Sequence, residues 1–268
     1  MTNISSVDRF RALHGSTKIL MIPNAWDAAS AAIVKSVGAQ AIATTSAGLA
    51  WSCGYADGDV LPRNKLLLAV EAICRVAGDL PVSVDLEGGY SGDPTAVADL
   101  VSELATLGVA GINLEDGTEA PEKLVAKIQA IKRGMPVFVN ARTDLYLLGR
   151  ATGDAGIRDS VERGKRYMQA GADGFFVPAV DENEAIRRIA EGVSLPLNVL
   201  AVPGLAPASE LFALGVRRMS AGSLLSKLAF GSTRRAAEAF LQPDPAPWLF
   251  KEVQMEYGEM NALLATPQ

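Results

Sequence analysis

Short runs of consecutive apolar, often β-branched residues recur at 19–24 (ILMIPN), 41–46 (AIATTS), 81–87 (PVSVDLE), 110–116 (AGINLED), 136–144 (PVFVNARTD), 174–178 (GFFVP), 196–201 (PLNVLA) and 216–220 (VRRMS). Runs this short and continuous predict strands covered on both faces. Between them lie segments with apolar positions at helical spacing, such as 28–38, 64–78, 94–108 and 121–134, several of them stopped by a glycine where a helix C-cap needs positive φ. Strand and helix alternate throughout. Eight such units predict an α/β fold, a (β/α)8 TIM barrel over residues 1–242, rather than an open doubly wound sheet. The absence of a G-x-G-x-x-G after the first strand agrees with that.

Past the eighth strand, GSLLSKLAFGSTRRAAEAFL reads as the closing helix and QPDPAP as a break. WLFKEVQMEYGEMNALLA then reads as an extra C-terminal helix, with Trp248, Leu249, Val253 and Tyr257 in its apolar set. Residues 243–268 are expected to pack on their own barrel or to swap onto a neighbouring one, in a homodimer or homotetramer.

Composition narrows the function classes. With 49% hydrophobic residues in 268, the chain can bury a large core. A net charge of −5, with no basic block longer than the dipeptides Arg187-Arg188, Arg217-Arg218 and Arg234-Arg235, disfavours nucleic acid and anionic membranes as partners. The N-terminus shows no leader pattern and no window approaches 18 charge-free apolar residues, so a cytoplasmic location is expected. Cys53 and Cys74 are too few for a disulfide framework and read as unreactive thiols. His14, the only histidine, precedes the first strand and reads as a surface residue.

In a parallel barrel the carboxyl ends of the strands form the active-site face. There the sequence places Asn24 and Asp27, Thr45 and Ser46, Asp85 and Glu87, Glu115 and Asp116, Asn140, Arg142 and Asp144, and Asn198. Asp27, Asp116 and Asp144 suit helix N-caps equally well. Asp85 and Glu87 stand at alternate positions and therefore point the same way. Several carboxylates at one mouth repel one another unless a cation sits among them. Oxygen ligands with no His or Cys nearby favour Mg2+, with Mn2+ as a substitute.

VDLEGGYSG, GINLEDG and NARTD, in this order and spacing, resemble the isocitrate lyase / phosphoenolpyruvate mutase superfamily, and the similarity runs from about Ile22 to Ser220. The resemblance implies that Asp85 is the principal magnesium-coordinating aspartate, Glu87 the second acid of that metal motif, and Glu115 the glutamate after strand four. It implies that Asp57, in CGYADGD, matches a site aspartate, and that Arg142 holds the substrate anion. TTSAGLAW looks like the loop that binds the substrate carboxylate, through Ser46, Ala47 and Gly48, with Trp26 at the aromatic position after strand one. Asn198 is a further candidate for substrate contact.

The departures bear on the reaction. Lyases resembling this chain carry a catalytic Lys, Cys and His segment on a loop after strand four, and the mutases a Lys and an Asn; here only GTEA separates Asp116 from Pro121. Lys123, the nearest lysine, falls in the next helix. Gly222-Ser223 reads as a helix start, and the absence of a lysine at a strand end argues against a Schiff-base aldolase. The expectation is a Mg2+-dependent lyase that cleaves a C–C bond in a small 2-oxo acid such as oxaloacetate. P–C chemistry on phosphoenolpyruvate or phosphonopyruvate, methylisocitrate cleavage, and a non-catalytic metabolite-binding barrel are the alternatives.

Overall fold

The computed structural model describes residues 5–150, 152–243, 247–250 and 255–265. Pro23 breaks the first strand, because it has no N–H to give to a ladder. The two halves, β1 (Leu20–Ile22) and β2 (Asn24–Ala25), pair with different neighbours. β2 lies beside β3 (Ile42–Thr44), and parallel pairing continues through β4 (Val82–Asp85), β5 (Val109–Glu115), β6 (Phe138–Arg142), β7 (Gly174–Val177) and β8 (Leu197–Leu200) to β9 (Val216–Ser220). β1 then pairs with β9, with Leu20 opposite Arg218 and Ile22 opposite Ser220. The nine segments are eight barrel strands, as expected. Asn24 fastens the seam: its Nδ2 donates to the Thr44 carbonyl at 2.7 Å, and its Oδ1 accepts from the Gly222 N–H at 2.8 Å.

The predicted helices form the outer ring: α2 (Ala28–Ser36), α4 (Arg63–Ala77), α5 (Pro94–Thr106), α6 (Pro121–Lys132), α7 (Gly153–Ala170), α8 (Asn183–Gly192) and α9 (Ala208–Ala213). α5 shows how the sequence sets them. Asp93 caps it by accepting from the Thr95 N–H at 2.9 Å, Pro94 occupies the first turn, and Val97, Leu100, Val101 and Leu104 make one buried stripe. Each of those side chains contributes about 1.5–3 kcal/mol by leaving water. Asp27 is likewise the cap of α2, within a capping box with Ser30. Two helices lie outside the expected set: α1 (Ser6–His14) and the short α3 (Ser46–Ser52), which replaces the expected carboxylate loop.

α1 plugs the amino-terminal end of the barrel, and His14 is buried rather than on the surface. Its ring stacks on Phe138 at 4.3 Å, with Phe10 edge-on at 4.8 Å, and a Cβ on Gly111 would come within 2.7 Å of the Phe10 ring. Nδ1 lies 2.8 Å from the Phe10 carbonyl oxygen, which makes it the donor. Burial, with Arg218 adding to it, holds the imidazole down at about 3. Below pH 6.5 the unfolded chain takes up a proton that the folded one refuses, so stability falls as pH falls. This group alone accounts for a loss on the order of 5 kcal/mol between pH 6.5 and 3. In urea melts across that range, His14→Phe is expected to show a flatter decline than wild type; equal slopes would contradict the assignment.

The closing helix, α10 (Leu224–Phe240), does not dock along its length. Ser226 is its one fully buried residue, while Leu224, Leu228, Phe230 and Phe240 stay exposed. Beyond it, the expected continuous helix appears as a 3-10 turn at Pro247–Phe250 and α11 (Tyr257–Leu264), which lies against α2 of the same chain. Met255 and Glu256, just before α11, are not helical, and Tyr257 points into solvent. Val253 lies outside the described residues. Among the described residues, no helix is long and apolar enough to cross a membrane.

Candidate active site

The strand ends surround a cavity of about 190 Å³. Of the residues expected there, it is lined by Asp85, Asp57, Arg142, Ser46 and Ala47, and by Asn24 and Thr45 from the strand ends. Asn113, Ser220, Gly222 and Ser223 complete the polar wall, and Leu147, Phe176, Pro178 and Leu200 the apolar one.

Asp85 ends β4 with its carboxylate almost fully buried. Its N–H donates to Thr44 Oγ1 at 2.9 Å, and its Oδ2 accepts from the Ser46 N–H at 3.2 Å. Its Oδ1 is buried and has no hydrogen-bond partner among the described residues. A buried carboxylate oxygen without a donor is costly and points to a further positive group.

Glu87 is engaged differently. It sits in the left-handed region at φ 50°, and its two oxygens accept from the Asp59 N–H at 2.6 Å and the Tyr90 hydroxyl at 3.1 Å. Asp59 and Tyr90 are left-handed too, and the Asp59 carboxylate accepts the N–H groups of Gly88 and Tyr90. Three strained non-glycine residues interlocked beside a cavity are a mark of a functional site. Burial, with Asp57 and Asp59 nearby, pushes Glu87 up to about 7. Asp59 and Tyr90 were not among the expected site residues.

Arg142 is the one cation among the described residues lining the cavity. It forks onto Asp144, Nε to Oδ1 at 2.6 Å and Nη2 to Oδ2 at 3.2 Å, and reaches Glu115 Oε2 with Nη1 at 2.7 Å. Its guanidinium lies 5.7 Å from the Phe176 ring centroid. Burial still raises Glu115 to about 8, with Asp144, Asp85 and Glu87 adding to the rise and Arg142 opposing it. Asp116 faces away from the cavity: Arg163 at 2.6 Å, Tyr167 at 2.5 Å and the Asp144 N–H at 3.0 Å take its oxygens. It fixes the strand ends rather than capping a helix.

The remaining expected residues stand outside the cavity lining. Trp26 packs on Phe230 at 6.1 Å, and Gly48 is where Trp26 and Thr45 come closest, since a Cβ there would meet both at 2.7 Å. Packing alone therefore requires a glycine there. Asn198 is buried in the barrel, sharing long contacts with Ser220 Oγ at 3.4 and 3.5 Å. Glu87 is buried beside the cavity without lining it, and Glu115 opens onto a neighbouring recess with Asp59 and Tyr90.

The donor set fits a hard divalent ion. Asp85 offers a free buried oxygen, the acids around it are held up by burial with repulsion among them adding, and the ligand atoms are oxygens. Among the described residues, no three His, Cys, Asp or Glu side chains form a metal cage.

The chain is thus a parallel barrel with an acid-rich mouth and one forked arginine. The chain belongs to the phosphoenolpyruvate phosphomutase family, whose profile matches residues 10–241. It is 38% identical over 262 residues, 95% of both chains, to an uncharacterized protein of Mycobacterium tuberculosis H37Rv. It is 33% identical over 204 residues to the 2-methylisocitrate lyase of Halalkalibacterium halodurans, covering 71% of this chain and 65% of the relative. A Burkholderia cenocepacia J2315 structure with a provisional lyase/mutase label superposes with a TM-score of 0.86 at 33% identity, covering 98% of this chain and 96% of that one. The crystal structure of 2,3-dimethylmalate lyase superposes at 0.84 with 26% identity, over 97% and 95% of the two chains. The named relatives are lyases and phosphomutases, and this chain is an enzyme of that family.

Proposed function

We propose that this enzyme is a Mg2+-dependent lyase that cleaves a C–C bond in a small 2-oxo acid such as oxaloacetate. The observation that supports it most is the buried, unpartnered Asp85 Oδ1 at the wall of a small polar cavity. When bound at Asp85, Mg2+ supplies Lewis acidity toward a 2-oxo group and its neighbouring carboxylate. Mn2+ would serve in the same place.

The chain's own residues do the rest. Asp85 carries the charge that recruits the cation, while Glu87, with both oxygens already hydrogen-bonded, adds charge rather than a free ligand atom. The Ser46 N–H fixes the Asp85 carboxylate, and Ala47 next to it lines the wall where a substrate carboxylate would lie. Arg142, preorganised by Asp144 and Glu115 at the cavity wall, would stabilise the negative charge that grows on a substrate oxygen as the bond breaks. Asp57 borders the same cavity and is placed to contact the substrate. The cavity holds the equivalent of about six waters, which suits a four-carbon acid.

Cleavage of 2-methylisocitrate is the second reading, favoured by the names of relatives at 33% and 31% identity. It needs an acid to protonate the departing carbanion. The four residues between Asp116 and Pro121 leave little chain to deliver one. Bond breaking in oxaloacetate needs no such acid, since water can protonate the enolate afterwards. Assaying oxaloacetate, phosphonopyruvate, phosphoenolpyruvate and methylisocitrate with Mg2+ and with chelator tests the proposal. Mg2+-dependent pyruvate release from oxaloacetate is expected; turnover confined to a P–C substrate would overturn it.

We also propose that the bare face of α10 is covered by another copy of the chain, in a dimer or tetramer. Leu228→Glu with Phe240→Glu is expected to reduce the mass seen by light scattering, and truncation after Gln242 to leave it unchanged. An unaltered mass in the double variant would refute this.

A further inference from the structure

Arg218 is fully buried on β9, and among the described residues none of its three guanidinium nitrogens has a hydrogen-bond partner. A buried charge in this state is strongly unfavourable unless something inside the barrel balances it. Its neighbours in register are Leu20 on β1 and Asn198 on β8, both uncharged. Below it lies the aromatic floor, with its guanidinium carbon 5.7 Å from the Phe10 ring centroid. His14, on the same floor, is neutral.

The compensation therefore lies above. Burial pulls the Arg218 guanidinium down to about 10, and Asp85 is the acid whose charge opposes that fall, so Arg218 stays protonated at neutral pH. Asp85 has the matching defect, an Oδ1 that is buried and unpartnered. Ser83, two residues before it and so on the same strand face, has a buried hydroxyl without a partner among the described residues as well. Opposite charges and a hydroxyl, each lacking a bond, thus share one barrel interior.

We infer that Arg218 is a positioning residue for Asp85: its fixed charge inside the barrel balances the carboxylate at the mouth and keeps that carboxylate buried in place. This rests on Asp85 as the working carboxylate of the proposed site. It also gives a reason for a cation in a barrel interior that is ordinarily filled by branched apolar side chains.

Thermal melts of wild type, Arg218→Met, Asp85→Asn and the double variant, run without divalent cation, test it as a double-mutant cycle. Arg218→Met is expected to lower the midpoint by several degrees in the wild-type chain. In the Asp85→Asn background the same change is expected to raise it, because an unbalanced buried charge is removed. Arg218→Lys, which keeps the charge, is expected to recover most of the wild-type midpoint. Should Arg218→Met not fold, adding Asp85→Asn is expected to restore folded protein. The same fall in both backgrounds, or no restoration, would overturn the inference. Because no Mg2+ is present, a failed metal reading would appear separately, as wild-type enzyme that ignores Mg2+.

Discussion

Asp85→Asn is expected to lower kcat by on the order of 10³-fold or more and to erase the rise in melting temperature that Mg2+ gives the wild type. The substitution keeps the shape and the bond from the Ser46 N–H but removes the charge and the free ligand oxygen. An ion that binds only the folded state stabilises it by about 2.7 kcal/mol at a hundred times its Kd. That gain should be plain in wild type and missing in the variant. Calorimetry showing the same Mg2+ affinity in both proteins would remove Asp85 from the metal site.

Arg142→Met should be nearly as damaging, in two ways at once. It leaves the Asp144 carboxylate buried without the cation that forks onto it, a loss of about 3–5 kcal/mol when one partner of a buried ion pair is deleted. It also removes the only cationic side chain among the described lining residues, so kcat/KM should fall by on the order of 10²–10³-fold. Arg142→Lys separates the two effects. It keeps the charge but cannot fork onto Asp144 while reaching Glu115, so it should recover stability better than activity. Wild-type kcat/KM in Arg142→Lys would mean that the fork is irrelevant to the reaction.

The barrel was legible because parallel strands buried on both faces are written as unbroken apolar runs, and all eight runs became strands. Its closure was less visible. Pro23 marks the break in the first strand, yet nothing local says that the two halves choose neighbours on opposite sides. α1 was missed although Ser5 and Asp8 form a readable cap, because its apolar residues serve the barrel floor rather than a stripe against the sheet. α3 was hidden by a small-residue sequence with no side-chain cap.

The acids at the mouth were legible by position, but their pairing was not. Asp116 is claimed by Arg163 and Tyr167, 47 and 51 residues later, and no spacing rule reaches that far. Glu87 looked equivalent to Asp85, since both end one strand on the same face. A left-handed backbone and two local donors set it apart. The Asp59 turn could have been suspected from the glycines in GYADGD and EGGYSG. Arg218 could not have been, because in VRRMS either arginine could face inward and only the register with Leu20 decides which.

The central claim is tested most directly by kcat/KM for oxaloacetate and for 2-methylisocitrate at saturating Mg2+, corrected for decarboxylation by the metal in solution. Oxaloacetate is expected to be the better substrate, with the rate lost on chelation and in Asp85→Asn. Efficient cleavage of methylisocitrate, with oxaloacetate consumed no faster than by Mg2+ alone, would contradict the account.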